Sequence, residues 1–338
     1  MNSLSVLGKY LDQPRLVGRF SKAVPTILVV GAGAYTLGQA YKAPKEERKK
    51  TLIKNGLVLG GTIISAMVAP KIASKIIKGH HHEHHHEHAD EAKELITEFL
   101  KENKVSKKTE EILEKAKEKI LKPKEIKTIF EELKPESNKK AQEFLSGEEG
   151  LIPDPENIDS KHIFGEIGEL SIIGLLPVLG GIAGGIAADK ITEKNWKEKL
   201  PNKIKEGSYQ YLANIFLCNI GAGVALLALE RAKIQSKGAR AIGMISGILL
   251  TGLVAGSAMA NYIGKKLIDP LFNNKHKKGE NIYSERTPEL LDVSLHVDDM
   301  ATVAVLSGLK WIAPALPILY SISGYRAGIG YRNKGNEK

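Results

Sequence analysis

Stretches of Gly, Ala, Ile, Leu and Val long enough to cross a lipid bilayer recur along this chain, separated by segments rich in Lys and Glu. A helix crosses the bilayer core in about 20 residues at about 1.5 Å each. Six stretches meet that length: approximately Ala23–Tyr41, Leu52–Ile77, Phe164–Ile191, Tyr209–Leu229, Ala241–Leu267 and Met300–Tyr325. In the second, only Gly56–Pro70 is free of charge, so Lys71 and Lys75 must snorkel to the interface. Lipid offers no partner for backbone polar groups, so the expected fold is all-α. The mean hydropathy of -0.17 averages two populations and describes neither.

The expected organisation is a polytopic membrane protein of about six transmembrane helices with one charged helical insertion. Residues 1–22 form a basic amphipathic tail and residues 23–77 a first helix pair. Residues 78–163 are the soluble insertion, residues 164–331 a four-helix membrane region and residues 332–338 a basic tail. The tail carries Lys9, Arg15, Arg19 and Lys22 against Asp12, and these charges run up to the first apolar stretch, unlike a secretory signal.

Charge follows the same division. Lys78 to Lys161 holds 16 Lys and 21 Asp or Glu, a net -5, which leaves +15 for the rest of a chain whose total is +10. Basic loops beside apolar spans suit anionic lipid head groups, so the bilayer is the first expected partner. Nucleic acid is not, because no stretch interleaves aromatics with Arg and Lys. A single cysteine, Cys218 inside an apolar stretch, rules out an intrachain disulfide and any site built from several cysteines.

Within the insertion, Ala89–Lys104, Thr109–Leu121, Pro123–Leu133 and Pro135–Leu145 read as short helices with narrow apolar faces. They suggest a loose helical element that docks a partner protein through residues 89–146 rather than a self-sufficient domain. The membrane part supports a homo-oligomer as the other expected partner.

An internal repeat relates Val30 onward to Ile220 onward. Gly31 and Gly33 match Gly221 and Gly223, and with one gap Gly61, Ser65, Ala69 and Ile72 match Gly252, Gly256, Ala260 and Ile263. Further on, Asp159, Gly168, Leu176 and Pro177 match Asp299, Gly308, Leu316 and Pro317. A three-span unit reverses direction when repeated, so two inverted three-helix repeats are expected, an arrangement that transporters use with the pathway between the repeats.

Small residues at four-residue spacing, Gly180 with Gly184, Gly252 with Gly256, and more weakly Gly61 with Ser65, predict glycine-zipper faces where helix backbones approach closely. Glu166, Glu169 and Lys310 stand near the Pro-containing helices, and a charge within a span faces protein or a water-filled path. These three, with Pro177 and Pro317 as helix-breaking positions, are the expected lining of a pathway.

The run HHHEHHHEH holds His80, His81, His82, His84, His85, His86 and His88. As a helix it stacks imidazoles at the four-residue spacing that shares a zinc or other divalent transition-metal ion. His-rich loops between spans resemble those of zinc and other divalent-metal transporters, although the intramembrane His/Asp pair of those families is missing here. Asp189, Asn214 and Asn219 are the other polar candidates near or within spans. GAGAYTLG lacks dinucleotide-site spacing, and no phosphate-binding loop or Ser/His/Asp grouping occurs, so no enzyme is expected. The function expected from sequence is transport or channel-like conduction, with a divalent metal gathered by the His run as substrate. The rival is a scaffold whose helices oligomerise or shape the bilayer.

Overall fold

A computed structural model describes residues 3–77, 88–135, 137–147, 150–152, 160–234, 237–273, 286–289 and 314–331. Their regular structure is entirely helical. In order the helices are α1 (Ser3–Leu11), α2 (Pro14–Lys42), α3 (Arg48–Ile76), α4 (His88–Glu102), α5 (Lys107–Ala116), α6 (Pro123–Leu133) and α7 (Lys139–Ser146). They continue as α8 (Ser160–Thr192), α9 (Leu200–Tyr211), α10 (Leu217–Arg231), α11 (Lys237–Leu249), α12 (Ser257–Ile263), α13 (Asp269–Asn273) and α14 (Leu316–Ile329). The chain divides into two units, and α2 contributes to both.

The first unit joins the start of the chain to the insertion. Its apolar stripes meet in one core in which Ile96, Leu113, Leu121, Ile126, Ile129 and Leu145 are fully buried. Phe99 and Phe144 stack at 3.8 Å between ring centroids. Side chains start the helices: Ser106 accepts the Thr109 N–H, and Asn138 accepts the Ala141 N–H and sets the start of α7 later than the sequence suggests. Gln13 secures the turn before α6, donating from Nε2 to the Leu121 carbonyl at 2.9 Å and accepting the Leu121 N–H at 2.7 Å. The insertion is therefore not loose. It has a core of its own, and α1, which places Lys9 over the Phe130 ring, is part of it.

The second unit contains the apolar helices. Five helical stretches are long and apolar enough to cross a membrane: Pro14–Lys42, Lys45–Ile76, Ile167–Thr192, Trp196–Arg231 and Ile242–Phe272. The fourth is longer than the apolar run, because α9 extends it on the N-terminal side of Tyr209 through Lys203, Lys205 and Glu206.

Glycine decides how α3, α8 and α14 pack. A Cβ on Gly61 would overlap the Gly180 carbonyl, and one on Gly184 would overlap that of Leu57, so α3 and α8 run antiparallel with their backbones touching. A Cβ on Gly181 or Gly185 would overlap the carbonyl of Gly324 or Gly328. That register makes α14 parallel to α8. On the other side, Gly256 abuts the Ala213 backbone and Gly221 abuts Gly247, so the α11–α13 stretch runs antiparallel to α9–α10, and Gly252 is buried in the same contact region.

These directions match the inverted repeat expected from sequence in one pair of counterparts, since α3 and the α11–α13 stretch run oppositely, and depart from it in another. Inversion would set the counterparts α8 and α14 antiparallel, and they are parallel. Pro177 lies inside α8, which continues through it as one helix, whereas Pro317 sits in the first turn of α14. The LLPVL and ALPIL segments thus share composition and close packing, not the same place in a helix.

Candidate functional site: a charged bundle end and a buried polar stripe

Helix directions gather one set of ends: the start of α3, the end of α8, the start of α9, the end of the α11–α13 stretch and the end of α14. Charged side chains concentrate there. Lys54 lies 3.5 Å from Asp189 and also bonds Glu193, which Lys50 and Lys199 approach at 3.4 and 2.5 Å. Lys203, buried on α9, sits 3.1 Å from Asp189 and donates to the Gly328 carbonyl, a site open to it because Gly185 has no side chain. Lys205 pairs with Asp269.

Glu206 is the most enclosed member, with no exposed surface. Arg286 Nε stands 3.3 Å from its Oε2, and Arg326 Nε stands 3.8 Å from its Oε1. Both guanidiniums also reach Glu289, at 3.9 and 3.5 Å, and Glu289 accepts from the Tyr331 hydroxyl at 3.0 Å. Arg286 lies against the Tyr209 and Tyr331 rings, and Arg326 against Tyr331. Arg286 reaches this depth from a segment without regular structure, residues 286–289, held by Asn261 on α12, which donates to the Arg286 carbonyl at 2.8 Å and accepts its N–H at 3.0 Å. A buried charge removed from its partner is strongly destabilising, so these contacts make the charged end interdependent.

From Glu206 a polar stripe runs into the apolar part of the bundle. Gln210 Nε2 donates to Glu206 Oε1 at 2.8 Å, and Asn214 Nδ2 donates to Gln210 Oε1 at 2.9 Å. Residues four apart share a helix face, so the three form a ladder, each fully buried. Beyond it comes Asn219. Nine residues past Gln210 is about two and a half turns of regular α-helix, which would point Asn219 to the far side. The π-helical segment Leu212–Phe216 takes up an extra residue in its turn. This turns Asn219 about halfway back from the far side toward the stripe, and its side chain is 1% exposed.

The partner helix has a π-helical segment at the same level, Leu250–Gly256, and Thr251 Oγ1 donates across to the Leu217 carbonyl at 2.7 Å. On the α8 side a Cβ at Gly174 would meet the Ile215 side chain. One turn further on, Ser171 of α8 and Asn219 of α10 stand at one level of this antiparallel pair. Among the described residues, Asn214 Oδ1, both polar atoms of the Asn219 side chain and Ser171 Oγ have no hydrogen-bond partner.

Of the residues expected to line a pathway, Glu169 stands two positions before Ser171, close to its level but about 200° round α8. Glu169 is half-buried on α8, about 30 Å along the helix from Asp189. Lys310 and the side chain of Glu166 lie outside the described residues, so no pairing of Glu169 with Lys310 is described. Pro177 presents its carbonyl to Gly324, and Pro317 presents its own to the Ser321 hydroxyl. Of the His run, His80, His81, His82, His84, His85 and His86 lie outside the described residues, and His88 opens α4 with its side chain outside them. Among the described residues no cluster of His, Cys, Asp or Glu is suited to hold a metal ion.

Sequence reasoning named Asp189, Asn214 and Asn219 but missed Lys203, Lys205, Glu206, Gln210, Arg286 and Arg326. One signal for part of this set was present: Glu206, Gln210 and Asn214 fall at helical spacing directly before and into an apolar run. No family model, curated protein or solved structure matches the chain.

Proposed function

We propose that this is a multi-pass membrane protein that moves a small solute along the buried stripe of Glu206, Gln210, Asn214 and Asn219. The carrying observation is the row of carboxamides inside an apolar bundle with side-chain atoms left unpaired. A buried polar group without a partner costs about 1–3 kcal/mol on protein scales. A stripe that only glued helices together would satisfy its own atoms, whereas one that receives a passing molecule leaves some open. The five apolar stretches support a lipid setting, with α14 as a sixth membrane helix beside α3 and α8. In this reading the charged end is the mouth, and Glu206 with its two arginines stands where the stripe begins.

The test is flux into liposomes containing the full chain, comparing the natural protein with Asn214→Leu and Asn219→Leu. Flux that falls to the level of protein-free vesicles in the variants supports the reading. Equal flux in all three rejects it. Zinc belongs in the solute panel because the His run at residues 80–88 is suited to gather it at the surface.

A scaffold is the second reading, favoured by the glycine contacts of α3, α8 and α14 together with a helical unit that has its own core. It predicts no flux of any solute, stable oligomers in mild detergent, and capture of a partner through residues 89–146.

A further inference from the structure

We infer that the molecule the stripe accommodates is small, uncharged and able both to donate and to accept hydrogen bonds, such as water, urea or glycerol, and that it is held at the level of Asn219 and Ser171. The inference rests on the transport reading above and names its substrate class.

The open atoms set the first condition. Asn214 Oδ1 and Asn219 Oδ1 accept, Asn219 Nδ2 donates, and Ser171 Oγ does either. A bare cation satisfies acceptors alone and would face the Asn219 amide hydrogens. A bare anion satisfies donors alone and would face the carbonyl oxygens. A neutral molecule carrying both kinds of group completes the set, and every stripe residue inward of Glu206 is itself neutral.

The mouth sets the second condition. Hard divalent ions take several carboxylate or carbonyl oxygens, and zinc takes His, Cys or carboxylate. The stripe has one carboxylate, Glu206, and both of its oxygens face guanidinium groups. Fixed arginines at a constriction oppose cations, as in water- and solute-conducting pores. Anions gain nothing in exchange, because Arg286 and Arg326 each also face Glu289. The mouth therefore has charges of both signs already paired with one another.

Geometry supplies the place. The π-helical segment turns Asn219 toward the stripe, and the absence of a side chain at Gly174 lets α8 approach Ile215 closely, carrying Ser171 to the level of Asn219. This level lies about 20 Å along the helix from Glu206, well inside an apolar layer about 30 Å thick.

The experiment uses liposomes holding the full chain. Stopped-flow light scattering follows water efflux and the entry of urea and glycerol, and encapsulated dyes report zinc, sodium and potassium. The expected result is water or neutral-solute permeation about tenfold above protein-free vesicles, with cation entry at the protein-free level. Asn219→Leu should abolish it and Ser171→Ala should reduce it several-fold, both variants eluting as single species of natural size in detergent. Permeation of water alone, lost in Asn219→Leu, also supports the assignment. Cation entry that disappears in Asn219→Leu overturns it while leaving the transport reading standing. No permeation of any kind by well-folded protein overturns both.

Discussion

Arg286 places its Nε 3.3 Å from Glu206 Oε2, and neither side chain has any exposed surface. One residue comes from a segment without regular structure and the other from the middle of a helix, so this pair ties a loop into the end of the helical bundle. Arg326 shares the same carboxylate, which makes the two losses unequal. Glu206→Ala removes the carboxylate that both buried guanidiniums approach and should cost about 3–5 kcal/mol, whereas Arg286→Ala leaves Glu206 with Arg326 and should cost less. Thermal unfolding in detergent checks the order, with Glu206→Ala melting lowest.

Glycine positions should separate sharply by what lies opposite them. A Cβ on Gly181 would overlap the Gly324 carbonyl, a backbone atom that cannot turn aside, while one on Gly60 meets no atom within 4 Å. Gly181→Ala should force α8 and α14 apart, lowering the melting temperature or the yield of folded protein. Gly60→Ala should be neutral or raise stability by up to about 1 kcal/mol through helix propensity. Equal effects in the two variants would refute the backbone contact.

Helix directions predict the sides of two loops. Lys45 precedes α3 at the charged end of the bundle, and Lys237 begins α11 at the other end. Single cysteines at these positions, in a Cys218→Ala background, should react with an impermeant thiol reagent from opposite faces of the membrane. Cys218 is a suitable residue to remove because it is buried and small, and its thiol donates to the Ala213 carbonyl.

Acid should expose the role of Glu193. Burial pushes its carboxyl up, but hydrogen bonds and charge from Lys199 and Lys54 outweigh this and hold it at about 2. A carboxylate lowered in the folded state contributes stability that is complete above its unfolded value, about 4.3, and is lost as pH falls toward the folded one. The stability gap between the natural protein and Glu193→Gln should be constant from pH 7 to about 5, shrink below about 4.5 and close near pH 2. Unfolding curves recorded across that range test it, and a gap that widens in acid would contradict the assignment.

Much of the architecture was legible in one dimension. Long uncharged runs imply helices in lipid because an unpaired backbone is so costly there, and the described helices cover most of those runs. Close glycine packing was legible too, since small residues at four-residue spacing line a helix face wherever the helix lies. The insertion was read as helical from its caps and apolar spacing. Its compactness was not legible, because it comes from apolar contacts between separate short helices and from Gln13, which meets Leu121 across 108 positions of chain.

Length, apolar pattern and helical period thus determined by themselves that this chain is helical, where its helices run and which faces are smooth. Tertiary structure alone decided that α14 runs parallel to α8, that Asn219 is brought round toward the stripe, and that Glu206, Arg286 and Arg326 converge. The reason is that hydropathy and periodicity act over neighbouring residues. The pairing of a buried charge depends instead on which distant segment supplies the opposite sign, and a polar residue such as Glu206 reads as solvated loop until its partner is in place.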